Sequence, residues 1–365
     1  MTFGDGASPV GDADKGSNLS KPHDLLALLG GFAREHGVPL TAEDIVPRFL
    51  ADAGLRLGSA LSDSALIHGT RTEQQFEALV LSLGRYRLLK AEDLGRLHSN
   101  IACRAPDYRI VLEDGEQWLV EVKNVRGDDP ARQVARLSAA YLASLNAYCD
   151  LVRVPLRIAH YWSRWKIWTL VDPRQFLTAS GGARIDMMAA FAANELSRLG
   201  DVIFCTEPPI RLLVEANSES PRERTAATRP TGIRLFVGGK EITELRSQQL
   251  AWILMLYGEW AADGPHAVTE DGHLTGIEFI VAPEEVPEED EPALMGRAIG
   301  QASRVFARYF AEDTTAGDAV IQLRGQAKPE WFEPIANWDF KTAQLPLWIL
   351  RLQPRGHTGA SPGAD

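Results

Sequence analysis

The chain has 365 residues, of which 45% are hydrophobic and 24% are charged, and its formal net charge is −11. These fractions are typical of a soluble globular protein, and the length allows two domains with an ample core. No run of eighteen apolar residues occurs, which argues against a membrane span. The negative charge also disfavours indiscriminate nucleic-acid binding, because phosphate contacts need Lys and Arg.

The chain ends and the cysteines bear on the compartment. Residues 1–20 are rich in Gly, Asp and Ser and lack the basic and apolar blocks of a signal peptide. We expect a disordered tail there and another over residues 354–365. The three cysteines, Cys103, Cys149 and Cys205, have neither zinc-binding spacing nor the even number of a disulfide framework. A cytoplasmic location is therefore expected.

Two early stretches of the chain are predicted to be helical. The first is an N-terminal helical segment over residues 21–60. The second covers residues 72–83, where apolar side chains recur at helical spacing. This second helix also carries two acidic side chains, Glu73 and Glu77, which are one turn apart.

The most informative segment is the eighteen-residue stretch from Pro106 to Lys123. Two short apolar strands flank an Asp-Gly turn, which is a strong hairpin signal. Asp107 opens the first strand, and Glu121 and Lys123 end the second. Side chains two positions apart on a strand lie on one face. Glu121 and Lys123 are therefore predicted to share a surface, with the neighbouring valines facing the core.

Two carboxylates and one ammonium on a single surface suit metal-dependent hydrolysis of phosphodiesters. Hard cations such as Mg²⁺ are bound by carboxylates, waters and phosphate oxygens. Asp107 and Glu121 are the predicted ligands, and the backbone carbonyl of Val122 is a third. A bound cation lowers the pKa of its water and stabilises charge on the phosphorus oxygens. Lys123 would orient or deprotonate the attacking water, or neutralise the transition state.

The Pro106-Asp107 pair, followed after a turn by Glu121-Val122-Lys123, resembles the PD-(D/E)xK nuclease superfamily. The resemblance implies an α/β fold class with a restriction-endonuclease-like core, a mixed sheet flanked by helices, over residues 61–178. It also implies a Mg²⁺- or Mn²⁺-dependent endonuclease that cleaves DNA. Restriction, phage defence and DNA repair are the implied settings, and RNA is the alternative substrate.

The resemblance adds two further expectations. The superfamily usually contributes an acidic residue from a helix before the motif, and Glu77 is the first choice for that role, with Glu73 second. A homodimer is also expected, because nucleases with one metal cluster per chain cut both strands by pairing their active sites.

A helix is predicted after the motif, from Ala131 to Leu151, because the run is rich in Ala, Leu and Arg. Arg132 and Arg136, one turn apart on that helix, are candidate phosphate contacts. Some members of the superfamily carry a Gln here that orients active-site groups, and Gln133 is the nearest match. The Tyr that one subgroup places four residues later is absent, because Leu137 occupies the position.

The rest of the chain completes the core and predicts an additional C-terminal α+β domain over residues 183–353. Strands over residues 154–160 and 166–171 complete the nuclease-like core. Helices are predicted over residues 185–199, 247–260 and 294–310. Strands are predicted over 209–214, 233–237, 276–281, 319–323 and 345–352, and a polar loop over 217–232. This domain would select the substrate, mediate dimerisation or sense a partner.

Each candidate residue also has a simpler structural interpretation. Glu121 and Lys123 can be solvent-facing residues that pair weakly across a hairpin. Asp107 can cap the entrance of a strand, because Asp is frequent in turns. Glu77 and Gln133 can be exposed helix residues.

The whole motif also has an internal comparison and an alternative function. A second acid-x-Lys triplet, Asp339-Phe340-Lys341, has no hairpin before it, and we interpret it as chance. The functional alternative from another class is a catalytically silent nuclease-like fold that binds nucleic acid or protein.

Overall fold

The computed structural model describes residues 22–93, 97–127, 129, 132–217, 229–271, 273–284, 296–325, 327, 332, 335 and 338–354. The tail predicted over residues 1–20 lies outside them, as does all but the first residue of the tail predicted from 354. Within the described ranges, no helix is long and apolar enough to cross a membrane. The chain divides into two compact units, residues 1–66 and 67–365.

The described chain contains both helices and strands. The helices are α1 (Pro22–Glu35), α2 (Ile45–Ser62), α3 (Ser64–Leu83), α4 (Ala139–Val152), α5 (Met187–Ala192), α6 (Leu245–Tyr257) and α7 (Ala302–Thr314). The strands are β1 (Leu88–Ala91), β2 (Tyr108–Val111), β3 (Gln117–Val125), β4 (Val134–Leu137), β5 (Leu156–Trp162), β6 (Ile167–Val171), β7 (Ala183–Asp186), β8 (Ile203–Thr206), β9 (Ile210–Asn217), β10 (Arg229–Val237), β11 (Lys240–Ile242), β12 (Ala261–Glu270), β13 (His273–Ala282), β14 (Arg297–Gln301), β15 (Thr315–Ala316), β16 (Ala319–Val320) and β17 (Leu347–Leu350).

The smaller unit contains α1 and α2, as the helical prediction for residues 21–60 requires. The two helices enclose a small apolar cluster of Phe32, Ala33 and Ile45. The Arg56 guanidinium of α2 pairs with Glu35 at 3.0 Å. Both partners are exposed, so this pair contributes little stability.

The larger unit contains a mixed five-stranded sheet in the order β1-β2-β3-β5-β6. Strands β3 and β5 are parallel, and the other neighbours are antiparallel. Helix α3 contributes Phe76 to the apolar cluster on the face of Val122. Helix α4 contributes Leu142 to the cluster on the opposite face, with Leu119. The fold is therefore mixed α/β, with a mixed sheet flanked by helices.

The remaining strands form antiparallel sheets. One has five strands in the order β11-β10-β9-β13-β12, one has three in the order β14-β8-β17, and two are strand pairs, β15-β16 and β4-β7. The apolar cluster that contains Phe76 also contains Phe306 of α7. The division into domains at 61–178 and 183–353 stays a prediction.

The hairpin predicted before Lys123 is confirmed. Strands β2 and β3 pair antiparallel, ending at Val111 opposite Gln117. Gly115 has φ +89° in the turn, a conformation that glycine adopts without strain. The Asp114 side chain accepts a hydrogen bond from the Glu116 N–H at 3.0 Å, which fixes the turn.

The helix predicted from Ala131 is wrong over its first part. Residues 134–137 form β4, which pairs antiparallel with β7, and α4 begins only at Ala139. The Ser138 side chain accepts a hydrogen bond from the Tyr141 N–H at 3.3 Å and caps the helix. A pairing partner almost fifty residues away overrides the local preference for helix.

The structure also differs from two other predicted helices and from one predicted loop. Residues 183–186 are strand β7 and only residues 187–192 are α-helical, in the range predicted as helix 185–199. Residues 297–301 form β14 before α7 begins. In the loop predicted over 217–232, residues 218–228 lie outside the described residues and 229–232 belong to β10.

Candidate active site

The candidate site lies where β2 begins beside the longer β3. The first residue of β2, Tyr108, pairs with Val120, and β3 continues to Val125. Asp107 directly precedes β2, and its Oδ2 accepts a hydrogen bond from the Val122 N–H at 2.6 Å. The carboxylate thus takes the position of the next strand partner and is held against β3.

Glu121 and Lys123 lie on the face of β3 that packs against α4. Glu121 is only 1% exposed, so its interpretation as a solvent-facing residue is wrong. Its Oε1 accepts hydrogen bonds from Lys123 Nζ and from the Tyr141 hydroxyl. Its Oε2 is buried and has no hydrogen-bond partner among the described residues. A buried carboxylate oxygen without a donor is costly, which indicates that a further partner belongs there.

Tyr141 is a site residue that the sequence did not single out. Its hydroxyl accepts a hydrogen bond from Lys123 Nζ at 2.9 Å, and Nζ lies 5.0 Å from the ring centroid. The guanidinium of Arg104 lies 5.1 Å from the same centroid. The helix predicted from Ala131 places Tyr141 in the middle of a long helix. In the structure Tyr141 lies in the first turn of α4, where it reaches Lys123.

The charged groups of the site shift one another's pKa. Burial raises the pKa of Asp107 to about 8, and repulsion from Glu121 and Glu73 adds to the effect. Burial also raises the pKa of Glu73, with repulsion from Asp93 as the next cause. For Lys123, burial lowers the pKa, but the attraction and hydrogen bond to Glu121 outweigh it and the pKa is raised. A charged ammonium thus stands among carboxylates that repel one another.

Of the two carboxylates on α3, Glu73 is the one whose charge affects the pKa of Asp107. Its charge contributes to the raised pKa of Asp107, and Lys123 acts on Glu73 in turn. Glu77 acts on the Tyr108 hydroxyl, where its repulsion adds to burial in raising the pKa. Glu73, the second choice from the sequence, therefore interacts electrostatically with Asp107 and Lys123. The role predicted for Glu77 stays a prediction.

The three candidate nucleic-acid contacts do not share a helix face. Arg132 and Gln133 precede β4, and Arg136 lies within it. Arg132 is exposed and pairs with Asp129 at 3.3 Å, whereas Arg136 is exposed on the strand. Gln133 is buried, so it is not an exposed helix residue, and its Nε2 donates to the Gly127 carbonyl at 3.2 Å. Their binding role stays a prediction.

The second acid-x-Lys triplet lies in a turn. The Asp339 carboxylate accepts hydrogen bonds from the Lys341 N–H at 2.9 Å and from the Thr342 hydroxyl at 2.6 Å. Phe340 is 62% exposed. These residues are not on a strand, and the geometry of the Glu121 site is not repeated here.

The donor chemistry of the site fits a hard divalent cation. Among the residues that the structure describes, no three His, Cys, Asp or Glu side chains are already grouped to hold a metal ion. Two carboxylates nevertheless repel each other, those of Asp107 and Glu121, and the second has a buried oxygen without a partner. Carboxylate and carbonyl oxygens are the donors that Mg²⁺ or Mn²⁺ prefers.

Comparison with known proteins gives a distant likeness to solved structures. No protein-family model and no curated protein matches the sequence. Among solved structures, the chain is similar to Hjc, a Holliday junction resolvase from the archaeal hyperthermophile Archaeoglobus fulgidus. The identity is 17% and the TM-score 0.29, and the match covers 36% of this chain and 99% of the resolvase.

Proposed function

We propose that this chain is a Mg²⁺- or Mn²⁺-dependent nuclease of the PD-(D/E)xK type that hydrolyses phosphodiester bonds in DNA. The observation that carries the proposal is the burial of Glu121 beside Lys123, with Asp107 held against the same strand. An ordinary surface hairpin would leave both charges in water, where they need no such arrangement. Restriction, phage defence and DNA repair are settings that suit this activity, and a homodimer would allow both strands to be cut.

Asp107, Glu121 and the Val122 carbonyl would hold the cation. Both backbone groups of a strand residue point to the same neighbour, so the Val122 carbonyl lies on the side of Asp107, to which its N–H donates. Glu73, whose charge acts on Asp107, would add a further carboxylate. The cation would lower the pKa of a bound water and stabilise charge on the phosphate. Lys123 would orient the attacking water or neutralise the transition state.

The second candidate is a catalytically silent nuclease-like fold that binds nucleic acid or protein. The observation that favours it is that Glu121, Lys123 and Tyr141 hydrogen-bond to one another, so the ammonium already has protein partners. RNA is the alternative substrate of an active site, and an RNA arm in the same assay tests it.

The decisive experiment is cleavage of supercoiled and linear DNA, with and without Mg²⁺ or Mn²⁺, by the wild type and Lys123→Ala. We expect metal-dependent cleavage that the substitution lowers at least about a hundredfold, because it removes the group at the attacking water. Lys341→Ala is the matched control, since Lys341 ends the exposed triplet, and it should cut like the wild type. Metal-independent cleavage, or an active Lys123→Ala protein, would contradict the proposal, and binding without any cleavage would favour the silent fold.

A further inference from the structure

His160 is a buried side chain beside Lys123 that lacks a hydrogen bond. It is 0% exposed, and within the described part of the chain neither ring nitrogen has a partner. In the parallel pairing of β3 with β5, His160 stands opposite Lys123. Neighbouring strands are about 4.8 Å apart, so the two side chains leave the same face of the sheet side by side.

The ring is neutral and has a free acceptor. Burial, followed by the charge of Lys123, lowers the pKa of His160 to about 3. A neutral imidazole carries one N–H donor and one acceptor nitrogen. At physiological pH the acceptor therefore stands next to an ammonium, in a region where water does not reach the ring.

Among the described residues, the neighbours of His160 form no hydrogen bond with its ring. Thr169 is opposite His160 on β6, and its hydroxyl accepts a hydrogen bond from Trp162 Nε1 at 2.9 Å. The Trp162 ring lies 5.6 Å from the imidazole, tilted by 31°. An unpaired buried polar group is destabilising, so an apolar side chain would serve packing alone better than His160 does.

Among the residues that the structure describes, Lys123 donates to two partners and so has a third donor to spare. Its ammonium has three N–H donors, and the hydrogen bonds in the structure go to Glu121 Oε1 and the Tyr141 hydroxyl. In the proposed nuclease Glu121 is also a ligand, and withdrawing its carboxylate would leave a half-buried ammonium with Tyr141 alone. A second acceptor is then needed to hold Lys123 in place.

We propose that His160 is a positioning residue that accepts a hydrogen bond from Lys123 when Glu121 releases the ammonium. The inference rests on the proposed function, because only a site that uses Glu121 as a ligand requires the exchange. His160 does not touch the substrate in this arrangement. It keeps Lys123 directed at the place where the attacking water is bound.

The first test compares single-turnover DNA cleavage by the wild type, His160→Phe and His160→Gln. We expect the Phe variant to cut about ten- to a hundredfold more slowly at unchanged DNA affinity, because a misdirected catalytic group reduces the rate of the chemical step. The Gln variant keeps an acceptor and should recover most of the rate. Thr169→Val is the matched control on the adjacent strand, and it should lower the unfolding temperature but leave the rate unchanged.

The second test is thermal unfolding without metal in a double-mutant cycle. In the wild-type background, His160→Phe should leave the unfolding temperature unchanged or raise it, because an unpaired buried group is removed. In the Glu121→Ala background the same substitution should lower it, because His160 then holds the ammonium.

The outcomes separate the two proposals. A His160→Phe protein that cleaves at the wild-type rate overturns the positioning role and leaves the nuclease intact. A wild type that never cleaves overturns the nuclease, and additive unfolding temperatures in the cycle overturn the contact between His160 and Lys123. If the Phe variant does not fold, His160→Leu replaces it in both tests.

Discussion

The Lys123 ammonium meets both the hydroxyl and the ring of Tyr141, and a single substitution separates the two contacts. Tyr141→Phe removes the hydrogen bonds to Glu121 and Lys123 but keeps the ring 5.0 Å from Nζ. We expect cleavage to slow about tenfold, because a hydrogen bond to a charged group contributes about 1.5–3 kcal/mol. Single-turnover rates at saturating DNA measure the effect.

Tyr148→Phe is the control for this prediction. Tyr148 lies on the same helix, and its hydroxyl donates to Glu92 Oε1 at 2.7 Å, away from Lys123. This substitution removes a hydrogen bond to a charged group, so it should lower the free energy of unfolding by about 1.5–3 kcal/mol and leave the cleavage rate unchanged. Equal rates for the wild type and Tyr141→Phe would show that the hydroxyl does not hold Lys123.

The raised pKa of Asp107 predicts a pH dependence of stability. Its folded value of about 8 exceeds the ordinary value of about 3.9, so the folded protein binds this proton more tightly than the unfolded chain does. Ionisation of Asp107 therefore costs stability as the pH rises from about 4 to about 8. Since a cation binds the ionised form, Mg²⁺ should stabilise the protein more at about pH 9 than at about pH 6.

Thermal unfolding with and without Mg²⁺ across this range checks the pH prediction. Asp107→Asn cannot ionise, so it should flatten the metal-free profile and reduce the Mg²⁺ effect at high pH. The same slope with pH in Asp107→Asn and the wild type would assign the dependence to another group.

The sequence predicts contacts along one strand better than contacts between elements. Alternation alone places Glu121 and Lys123 on one face, because the period of a strand is two residues. Tyr141 and His160 reach Lys123 from α4 and β5. Their positions depend on where a helix begins and on the register of a parallel pair, and neither is encoded in local spacing. The influence of Glu73 on the pKa of Asp107 likewise depends on how α3 packs, which local spacing does not show.

At the level of elements, the pair β4-β7 decides where α4 begins. The central hairpin is predictable from its Asp-Gly turn. The strand at 134–137, in contrast, depends on pairing with β7, which is distant in sequence. Gly182 permits the pairing, since a Cβ there would lie 2.5 Å from the Leu137 carbonyl oxygen and 3.2 Å from the Ala139 nitrogen. Both are backbone atoms, so they cannot move aside as a flexible side chain would.

We expect Gly182→Ala to lower the free energy of unfolding by about 1–3 kcal/mol, since overpacking against backbone forces a shift. Cleavage should also fall, because the first turn of α4 carries Tyr141. Chemical denaturation and the cleavage assay measure the two effects. Gly69→Ala on α3 is the control: its added Cβ meets nothing within 4 Å, so it should stabilise the helix by about 0.5–1 kcal/mol. An unchanged Gly182→Ala protein would contradict the prediction.

Across the larger unit, the helix that carries Glu73 is also held by the C-terminal part of the chain. Arg71 Nε donates to the Thr314 hydroxyl at 2.8 Å, and the guanidinium lies 5.2 Å from the Phe310 ring centroid. The apolar cluster likewise joins Phe76 to Phe306. The C-terminal part of the chain therefore supports α3.

The charge of the whole chain is distributed unevenly. The segment from Arg104 to Arg174 contains eleven basic and nine acidic residues, although the chain as a whole carries −11. The candidate site thus lies in the less acidic part of the molecule. A local balance of this kind lets an acidic protein approach a polyanion, and it makes the expected DNA affinity strongly dependent on salt.

The Asp107 carboxylate has a mechanical role as well as a chemical one. It accepts a hydrogen bond from the Val122 N–H just before β2 begins. The same side chain that would bind a ligand therefore also completes the hydrogen bonding of β3 at this point. A ligand bound at this carboxylate would therefore directly affect the position of β3, the strand that carries Glu121 and Lys123. Removing the whole side chain would remove this hydrogen bond, and inactive Asp107→Ala protein would confound loss of a ligand with loss of strand order. The Lys123→Ala substitution keeps the backbone pairing of residue 123 with β5, so it separates the two effects.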